Sequence, residues 1–270
     1  MGSAFLQWPV YLLVGALSGW LAGLLGIGGG LILVPALLLL LPLAGVSADA
    51  LMPMAIGSSL AAIVLTAVAS TRAHASRGAV QWPLFWRLAP TVALTASGAG
   101  WLAARLGSQL LTLIFAGFVL ALAVRTALTG ITTGTRQRPG RAVWAGFGAV
   151  IGSLSGLVGI GGGSLTVPLL LHFGVPITEA VATSAAVGLP IALFGTLGYV
   201  AAGWSLPLPV GATGFVYWPA VLAITAASWF SAPIGAKLAH RWPAARLRKL
   251  FALFLAIVGL RLAVRALTGH

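Results

Sequence analysis

Two copies of one glycine-rich phrase are the residues best suited to chemistry. Residues 26–30 read Gly-Ile-Gly-Gly-Gly and lead into Leu-Ile-Leu-Val-Pro, whereas residues 159–163 repeat the phrase and lead into Ser-Leu-Thr-Val-Pro. Consecutive glycines do not sustain a helix and permit positive φ, so each phrase predicts a helix break. The helix that follows presents free N–H groups and a positive dipole end, which suit an anion. The phrases therefore predict an anion site; the alternative is a tight packing turn.

Hydroxyl side chains follow both phrases at equivalent places. Ala-Ile-Gly-Ser-Ser at 55–59 is answered by Ala-Val-Ala-Thr-Ser at 180–184. Hydroxyls donate to the oxygens of an oxyanion, and neutral donors let a divalent anion leave again. The alternative is that they bond back to the helix carbonyl four residues earlier. Ser164 and Thr166 stand where the first copy has leucine, so a site would take more donors from the second copy. The predicted substrate-binding residues are Gly28, Gly29, Gly30, Ser58, Ser59, Gly161, Gly162, Gly163, Ser164, Thr183 and Ser184.

Few groups in the chain can carry a proton or hold a metal. Asp49 and Glu179 are its two carboxylates, and the four histidines are scattered without metal-ligand spacing. Intramembrane acids often carry protons in transporters, so Glu179 and His172 are the proton-coupling candidates. Each acid has the alternative of capping the helix that follows it. With no cysteine, no P-loop and no dinucleotide fingerprint, we expect no metal and no cofactor.

Composition identifies the elements that must position these groups as membrane helices. The 270 residues are 60% hydrophobic and 6% charged, whereas soluble domains are about 25% charged. Such a chain cannot cover a water-soluble surface, so we expect an integral membrane protein. The formal net charge of +13 would suggest nucleic acid in a soluble protein. Here it indicates topology and attraction to anionic lipid or an anionic solute, and no nucleic-acid partner is expected.

The predicted fold is an all-α polytopic membrane protein with about ten apolar segments. Only helices satisfy the backbone of such lipid-exposed segments internally. The segment at 164–175 spans about 18 Å of a roughly 30 Å hydrocarbon core, so it is predicted to be a half-helix or re-entrant piece. The segments are 9–26, 31–45, 50–70, 84–104, 109–129, 142–158, 164–175, 180–202, 214–236 and 249–268.

The chain is a duplication. Glycines at 15, 19, 23 and 26 recur with the same spacing at 148, 152, 156 and 159, and glycines spaced by four let another helix approach closely. The most polar stretch lies between the copies. We therefore predict a first transmembrane repeat over 1–131, a basic cytoplasmic linker over 132–141 and a second repeat over 142–270.

The distribution of basic residues predicts that the second repeat is inverted. Five segments per repeat is an odd number, which reverses the direction of the second copy. If the basic loop 71–87 is cytoplasmic, only Arg105, Arg261 and Arg265 lie outside. Arg261 and Arg265, one turn apart, are expected to reach to the outer interface. We predict a multi-pass protein of the inner (plasma) membrane with both termini extracytoplasmic.

Taken together, these motifs resemble the TauE/SafE family of sulfite exporters, also called the 4-toluenesulfonate uptake permease family. The resemblance covers most of the chain. It includes both glycine phrases with their Val-Pro ends, Arg-Ala-His at 72–74 before Gly-Ala-Val-Gln-Trp at 78–82, and the closing Ala-Pro-Ile-Gly-Ala-Lys-Leu-Ala-His at 232–240. It implies transport of sulfite or small organosulfonates. The first repeat departs conservatively, with Gly-Ser-Ser at 57–59 where the family usually has Gly-Thr-Ser.

The leading hypothesis is a secondary carrier of a small anion, mainly sulfite or an organosulfonate, that works by alternating access around the paired breaks. The alternatives are an anion channel and a carrier for a non-sulfur organic anion. An enzyme is not expected because no nucleophile–base pair or metal cluster is present. A metal-cation carrier lacks anionic ligands. The coupling ion (a proton is the candidate), the direction of transport and assembly into a homo-oligomer stay open.

Overall fold

The protein is built from apolar helices. The structure, a computed structural model, describes residues 2–25, 30–128, 139–239 and 244–268. Most of the predicted linker therefore lies outside the described residues. The helices are α1 (Gly2–Leu25), α2 (Gly30–Leu40), α3 (Ala48–Ala75), α4 (Trp82–Leu128), α5 (Arg141–Val158), α6 (Gly163–His172), α7 (Ile177–Ala202), α8 (Trp218–Ala239) and α9 (Ala244–Thr268).

Within the described residues, five helical stretches are long and apolar enough to cross a bilayer. They are Ala48–Ala75, Trp82–Leu128, Arg141–Val158, Ile177–Ala202 and Lys249–Thr268. Shorter apolar stretches, such as the ten residues of α6, reach only about 15 Å. The described helices agree with the predicted all-α membrane fold. The number of crossings and the inversion of the second repeat stay predictions.

α4 consists of two arms that meet at Gly107. This glycine has φ 74° and ψ 160°, a backbone conformation that residues with a Cβ rarely adopt. The change of direction falls in the gap between the predicted segments 84–104 and 109–129. The second arm packs on α9, where the Gln109 side chain donates a hydrogen bond to the Ala266 carbonyl over 2.8 Å.

α3 and α7 form the centre of the molecule. Every residue of α3 from Ala50 to Ile63 is buried, although the helix is no more apolar than its neighbours. A helix buried on all sides is covered by other helices rather than by lipid. α3 and α7 pack directly on each other, so they carry their hydroxyl residues into the interior.

Glycines of both predicted ladders lie in close helix contacts, while Gly26 lies outside the described residues. Gly15 and Gly19 of α1 lie against α8, where a methyl group at Gly15 would stand 2.7 Å from Ile224 Cα. Gly148, Gly152 and Gly156 of α5 lie against the first arm of α4. Without side chains at these positions the two backbones approach closely. Each ladder helix thus packs on a helix of the other repeat.

A small hairpin precedes α8, which the all-α prediction did not include. Strands β1 (Ala212–Thr213) and β2 (Val216–Tyr217) pair antiparallel in the loop after α7. Tyr217 is buried. The hairpin holds the backbone of Tyr217 against α3.

Candidate anion site at the second glycine phrase

The second glycine phrase separates two helices. α5 ends at Val158, and the next helix, α6, begins at Gly163. Between them Gly159 has φ 74° and Gly162 has φ 73°. This left-handed region costs a residue with a Cβ about 1–2 kcal/mol. The glycines at these two places are therefore required by the backbone.

The N-terminus of α6 points into this break without a side-chain cap. Its N-cap residue is Gly162, which has no side chain with which to cap the free N–H groups. The N–H groups of Leu165 and Thr166 bond to the Gly162 carbonyl over 3.1 and 2.8 Å. The preceding N–H groups, of Gly163 and Ser164, belong to the first turn and have no helix carbonyl to bond. They and the helix dipole favour a negative charge in the break.

Three buried hydroxyls belong to residues at or beside the same break. Within the described part of the chain, Ser155 Oγ, Ser164 Oγ and Thr166 Oγ1 have no hydrogen-bond partner. A methyl group at Gly162 would stand 3.6 Å from Thr166 Oγ1 and 3.8 Å from Ser155 Oγ. Buried polar groups in proteins are nearly always paired. The unpaired hydroxyls of Thr166 and Ser155 beside Gly162, at a helix N-terminus, therefore mark a candidate ligand site.

Ser155 was not among the predicted site residues. It lies on α5 inside the glycine ladder, and its carbonyl accepts hydrogen bonds from the N–H groups of Gly159 and Ile160. Ser155 lies one helical turn before Gly159, and this spacing could have indicated that its side chain lies close to the break. Thr166 was predicted as a possible donor but not as a site residue. Ser164 lies at the start of α6, which begins one residue earlier than predicted, at Gly163.

The first repeat contacts this break through Gly30, the first residue of α2. A methyl group at Gly30 would stand 2.5 Å from the Gly159 carbonyl oxygen and 3.0 Å from Ile160 Cα. Gly161 is approached from the other side by α7, where a methyl group at Gly188 would stand 2.5 Å from its carbonyl oxygen. Gly28 and Gly29 lie outside the described residues. The described end of the first phrase thus lies against the second.

The hydroxyls predicted on α3 and α7 bond mainly to the other repeat. Ser59 Oγ donates to the Gly159 carbonyl over 2.9 Å. Ser58 Oγ accepts from the N–H of Tyr217 over 2.9 Å. Thr183 Oγ1 accepts from the N–H of Gln81 over the same distance. None of these is the bond to the carbonyl four residues earlier. Each of the three bonds joins α3 or α7 to a backbone group outside the helices of the other repeat.

Ser184, the fourth predicted hydroxyl, differs from the other three. It is 2% exposed, and its Oγ has no partner among the described residues. Its equivalent in the first repeat, Ser59, donates a hydrogen bond to the Gly159 carbonyl. Ser184 is therefore the one of the four whose hydroxyl makes no hydrogen bond within the described residues.

The two proton-coupling candidates lie in different surroundings. Glu179 is half-buried in the first turn of α7, where its Oε2 accepts a hydrogen bond from Gln81 Nε2 over 2.5 Å. His172 is exposed in the last turn of α6, with its ring 5.2 Å from that of Phe173. Asp49 is exposed at the start of α3. Among the described residues, no three His, Asp or Glu side chains could hold a metal together.

The donors at the break are neutral, numerous and close together, which is chemistry for a small oxyanion. A carboxylate, sulfite or sulfonate group accepts several N–H and O–H bonds at once. Hydrogen bonds to a charged group contribute about 1.5–3 kcal/mol each. No carboxylate lies among these donors to repel an anion.

The sequence as a whole matches curated proteins that are described as transporters. It is 39% identical to a probable membrane transporter protein of Haemophilus influenzae, over 94% of this chain and 97% of that protein. It is 26% identical to one of Methanocaldococcus jannaschii, over 93% and 94% respectively. A Bacillus subtilis protein, the probable membrane transporter protein YunE, is 24% identical over 95% of this chain and 97% of its own.

A family-level match agrees with these relatives. No solved structure matches the chain. The family described as "Sulfite exporter TauE/SafE" matches residues 11–262, which include both glycine phrases and all the hydroxyls named above. With the apolar helices, the match identifies a multi-pass membrane protein. The chain belongs to the TauE/SafE family of sulfite exporters.

Proposed function

We propose that this protein is a secondary transporter of a small oxyanion, most fittingly sulfite or an organosulfonate. The observation that carries the proposal is the set of unpaired buried hydroxyls of Ser155, Ser164 and Thr166 around the uncapped N-terminus of α6. A membrane protein that leaves such donors unbonded loses stability, because each buried unpaired group costs about 1–3 kcal/mol. A transported anion that binds there would satisfy them.

Ile191 limits the room beside Gly162. Ile191 of α7 is fully buried, and its Cδ1 is the atom nearest to where a Gly162 side chain would be. The anion head therefore fits beside Gly162 only if this methyl group moves away. We infer that the described state is closed over the site, and that rotation of Ile191 admits the solute.

Transport by alternating access requires that the site change sides. The contact of Gly30 with Gly159 joins the described ends of the two phrases. Transporters built from inverted repeats place their substrate at such broken helices, and move one part of the protein against another. We propose that movement of the two repeats about this contact exposes the α6 N-terminus to one side of the inner membrane and then to the other.

Glu179 is the proposed proton carrier. It sits one turn before Thr183 on α7, and Gln81 bonds to both through its side chain and its backbone. Protonation of the carboxyl would weaken the bond that it accepts from Gln81, so the charge of Glu179 would control a contact between the repeats. His172, the last residue of α6, is the second candidate.

A binding screen tests the substrate. Sulfite, thiosulfate, sulfoacetate, taurine and sulfate are added to the purified protein, and the thermal unfolding midpoint is measured. A ligand at 100 times its Kd stabilises the folded state by about 2.7 kcal/mol. We expect a shift with sulfite or a sulfonate that is reduced by about half or more in Thr166→Val. A shift of equal size in that variant, or no shift with any oxyanion, contradicts the proposal.

Two alternatives from the sequence stay distinguishable. A channel of the same architecture would conduct without saturation, whereas a carrier gives saturable counterflow in proteoliposomes. A carrier for a non-sulfur organic anion would show its thermal shift with carboxylates such as acetate instead of sulfite.

A further inference from the structure

A cleft lies between α2 and α9, away from the glycine phrases. Its volume is about 620 Å³. One wall is formed by Ile32, Pro35 and Leu39 of α2, and the other by Phe254 and Val258 of α9. These walls are apolar, and Leu39 is 54% exposed. A water-filled cleft with such walls is unfavourable, so we expect an apolar occupant.

One end of this cleft is strongly basic. Arg261, Arg265 and Thr268 complete its α9 wall. The two arginines are one helical turn apart, so their side chains share a face. Both are exposed. Two guanidinium groups at the end of an apolar cleft form a site for an anionic head with an apolar tail, since arginine binds phosphate oxygens in a bidentate manner.

Neither acidic side chain of the sequence lies at this end of the cleft. The chain holds two acidic residues against 15 Lys and Arg. Asp49 lies at the start of α3, and Glu179 accepts its hydrogen bond from Gln81. Neither is among the residues that line the cleft. The counter-charge for Arg261 and Arg265 must therefore come from outside this set of residues.

We propose that the α2–α9 cleft binds one anionic phospholipid, with an acyl chain between the helices and the phosphate on Arg261 and Arg265. From Phe254 to Thr268 the α9 wall rises by about 21 Å, which is more than half of a roughly 30 Å hydrocarbon core. This length fits an acyl chain and not a small solute.

The cleft links the lipid to the proposed transport site. Its α2 wall belongs to the helix that begins at Gly30, the residue in contact with Gly159. A lipid bound in the cleft would pack on α2 and stabilise the contact of Gly30 with the break at Gly159. We therefore expect bound anionic lipid to stabilise the protein.

The test is lipid binding to the purified full-length chain in detergent. Phosphatidylglycerol or phosphatidylcholine is titrated, with bound lipid counted by native mass spectrometry and stability followed by thermal unfolding. We expect the wild type to retain phosphatidylglycerol, and Arg261→Gln/Arg265→Gln to bind it at least tenfold more weakly with unchanged binding of phosphatidylcholine. Arg105→Gln, which removes the same kind of charge from another predicted outer position, is the matched control and should bind like the wild type.

A second variant tests the apolar wall independently of charge. Val258→Trp fills the cleft and keeps both arginines, so it should also lose phosphatidylglycerol. Equal retention of phosphatidylglycerol by the double arginine variant or by Val258→Trp overturns the proposal. So does stabilisation by glycerol phosphate equal to that by the lipid, which would make the site one for a free anion. Displacement of the lipid by 4-toluenesulfonate at substrate concentrations overturns it in favour of a substrate entrance.

Discussion

Thr183 Oγ1 accepts a hydrogen bond from the backbone N–H of Gln81 over 2.9 Å, and Ser58 does the same for Tyr217. The two hydroxyls occupy equivalent places in the two repeats. Each binds the residue just before the Trp-Pro pair that begins a long helix of the other repeat, α4 or α8. Such a reciprocal exchange is expected when two copies are related by a two-fold axis. The relationship supports the predicted pairing of the repeats, whose opposite orientation stays a prediction.

This exchange has a counterpart in the sequence that the glycine phrases alone do not reveal. Residues 78–83 read Gly-Ala-Val-Gln-Trp-Pro, and residues 214–219 read Gly-Phe-Val-Tyr-Trp-Pro. Both glycines have positive φ, 66° at Gly78 and 53° at Gly214. The first run is part of the family resemblance, whereas its likeness to the second was not predicted. The two runs together mark the loops that receive the hydroxyl residues of α3 and α7.

Gly162→Ala should abolish anion transport. The new methyl group would collide with Ile191 Cδ1 and fill the space between Thr166 and Ser155. We expect transport by reconstituted protein to fall at least tenfold. Some stability is also lost, since the positive φ costs alanine about 1–2 kcal/mol.

Gly45→Ala separates strain from binding. Gly45 has φ 80° with nothing within 4 Å of a methyl group there, so alanine imposes the same backbone strain away from the break. Its transport per folded molecule should equal that of the wild type. Equal activity of Gly162→Ala would refute the role of the break in binding. The same prediction applies to a bulky residue at Gly29, which lies outside the described residues.

Thr166→Val and Ser155→Ala should weaken anion binding without loss of stability. Neither hydroxyl has a partner among the described residues, so their removal leaves no broken bond within the protein. A bond to a charged ligand contributes about 1.5–3 kcal/mol, so the Kd for the anion should rise at least tenfold. Isothermal titration or the anion-dependent shift of the unfolding midpoint measures this.

Ser59→Ala should lower stability without weakening anion binding, the reverse of the effect expected for Thr166→Val and Ser155→Ala. It removes the hydrogen bond to the Gly159 carbonyl, which should cost about 1 kcal/mol of stability. The midpoint without anion should fall, and the anion-dependent shift should persist. Loss of stability in Thr166→Val with an unchanged Kd would assign the hydroxyl to packing.

Periodicity and composition predicted the helices because a bilayer constrains them strongly. Apolar stretches must satisfy their own backbone, and glycines spaced by four must face another helix. The break at the second phrase followed from Gly159 and Gly162, whose backbone excludes other residues. The hydrogen-bond partners of the hydroxyl side chains could not be predicted from the sequence. Whether Ser59 or Ser184 has a free hydroxyl depends on which carbonyl lies beside it after folding, and this is a long-range property.

Glu179→Gln should uncouple transport from a proton gradient. Glutamine can still accept the bond from Gln81 but cannot change its charge. We expect counterflow of the anion in proteoliposomes to be retained, while stimulation by an imposed pH gradient is lost. Asp49→Asn, which changes the exposed acid, should keep that stimulation. If Glu179→Gln responds to the gradient as the wild type does, the role passes to His172, and His172→Gln tests it in the same assay.

Gly152→Leu should prevent correct packing of α5. A side chain there would overlap Thr95 Oγ1 and stand 2.5 Å from the Val92 carbonyl oxygen of α4. Close helix contacts at small residues are a main source of stability in membrane proteins. We expect little monodisperse protein by size-exclusion chromatography. Gly146→Leu, on the same helix at an exposed place with nothing within 4 Å, should elute like the wild type.

Ile191→Val should widen the proposed site and restore part of the activity of Gly162→Ala. Valine lacks the Cδ1 atom that contacts Gly162, and the change costs about 0.5–1.5 kcal/mol. The single variant should transport larger organosulfonates better relative to sulfite, and the double variant Gly162→Ala/Ile191→Val should be more active than Gly162→Ala alone. Ile224→Val, which shortens an equally buried side chain between α8 and α1, is the control and should not rescue. Independent effects of the two changes would mean that Ile191 does not control access to the glycine break.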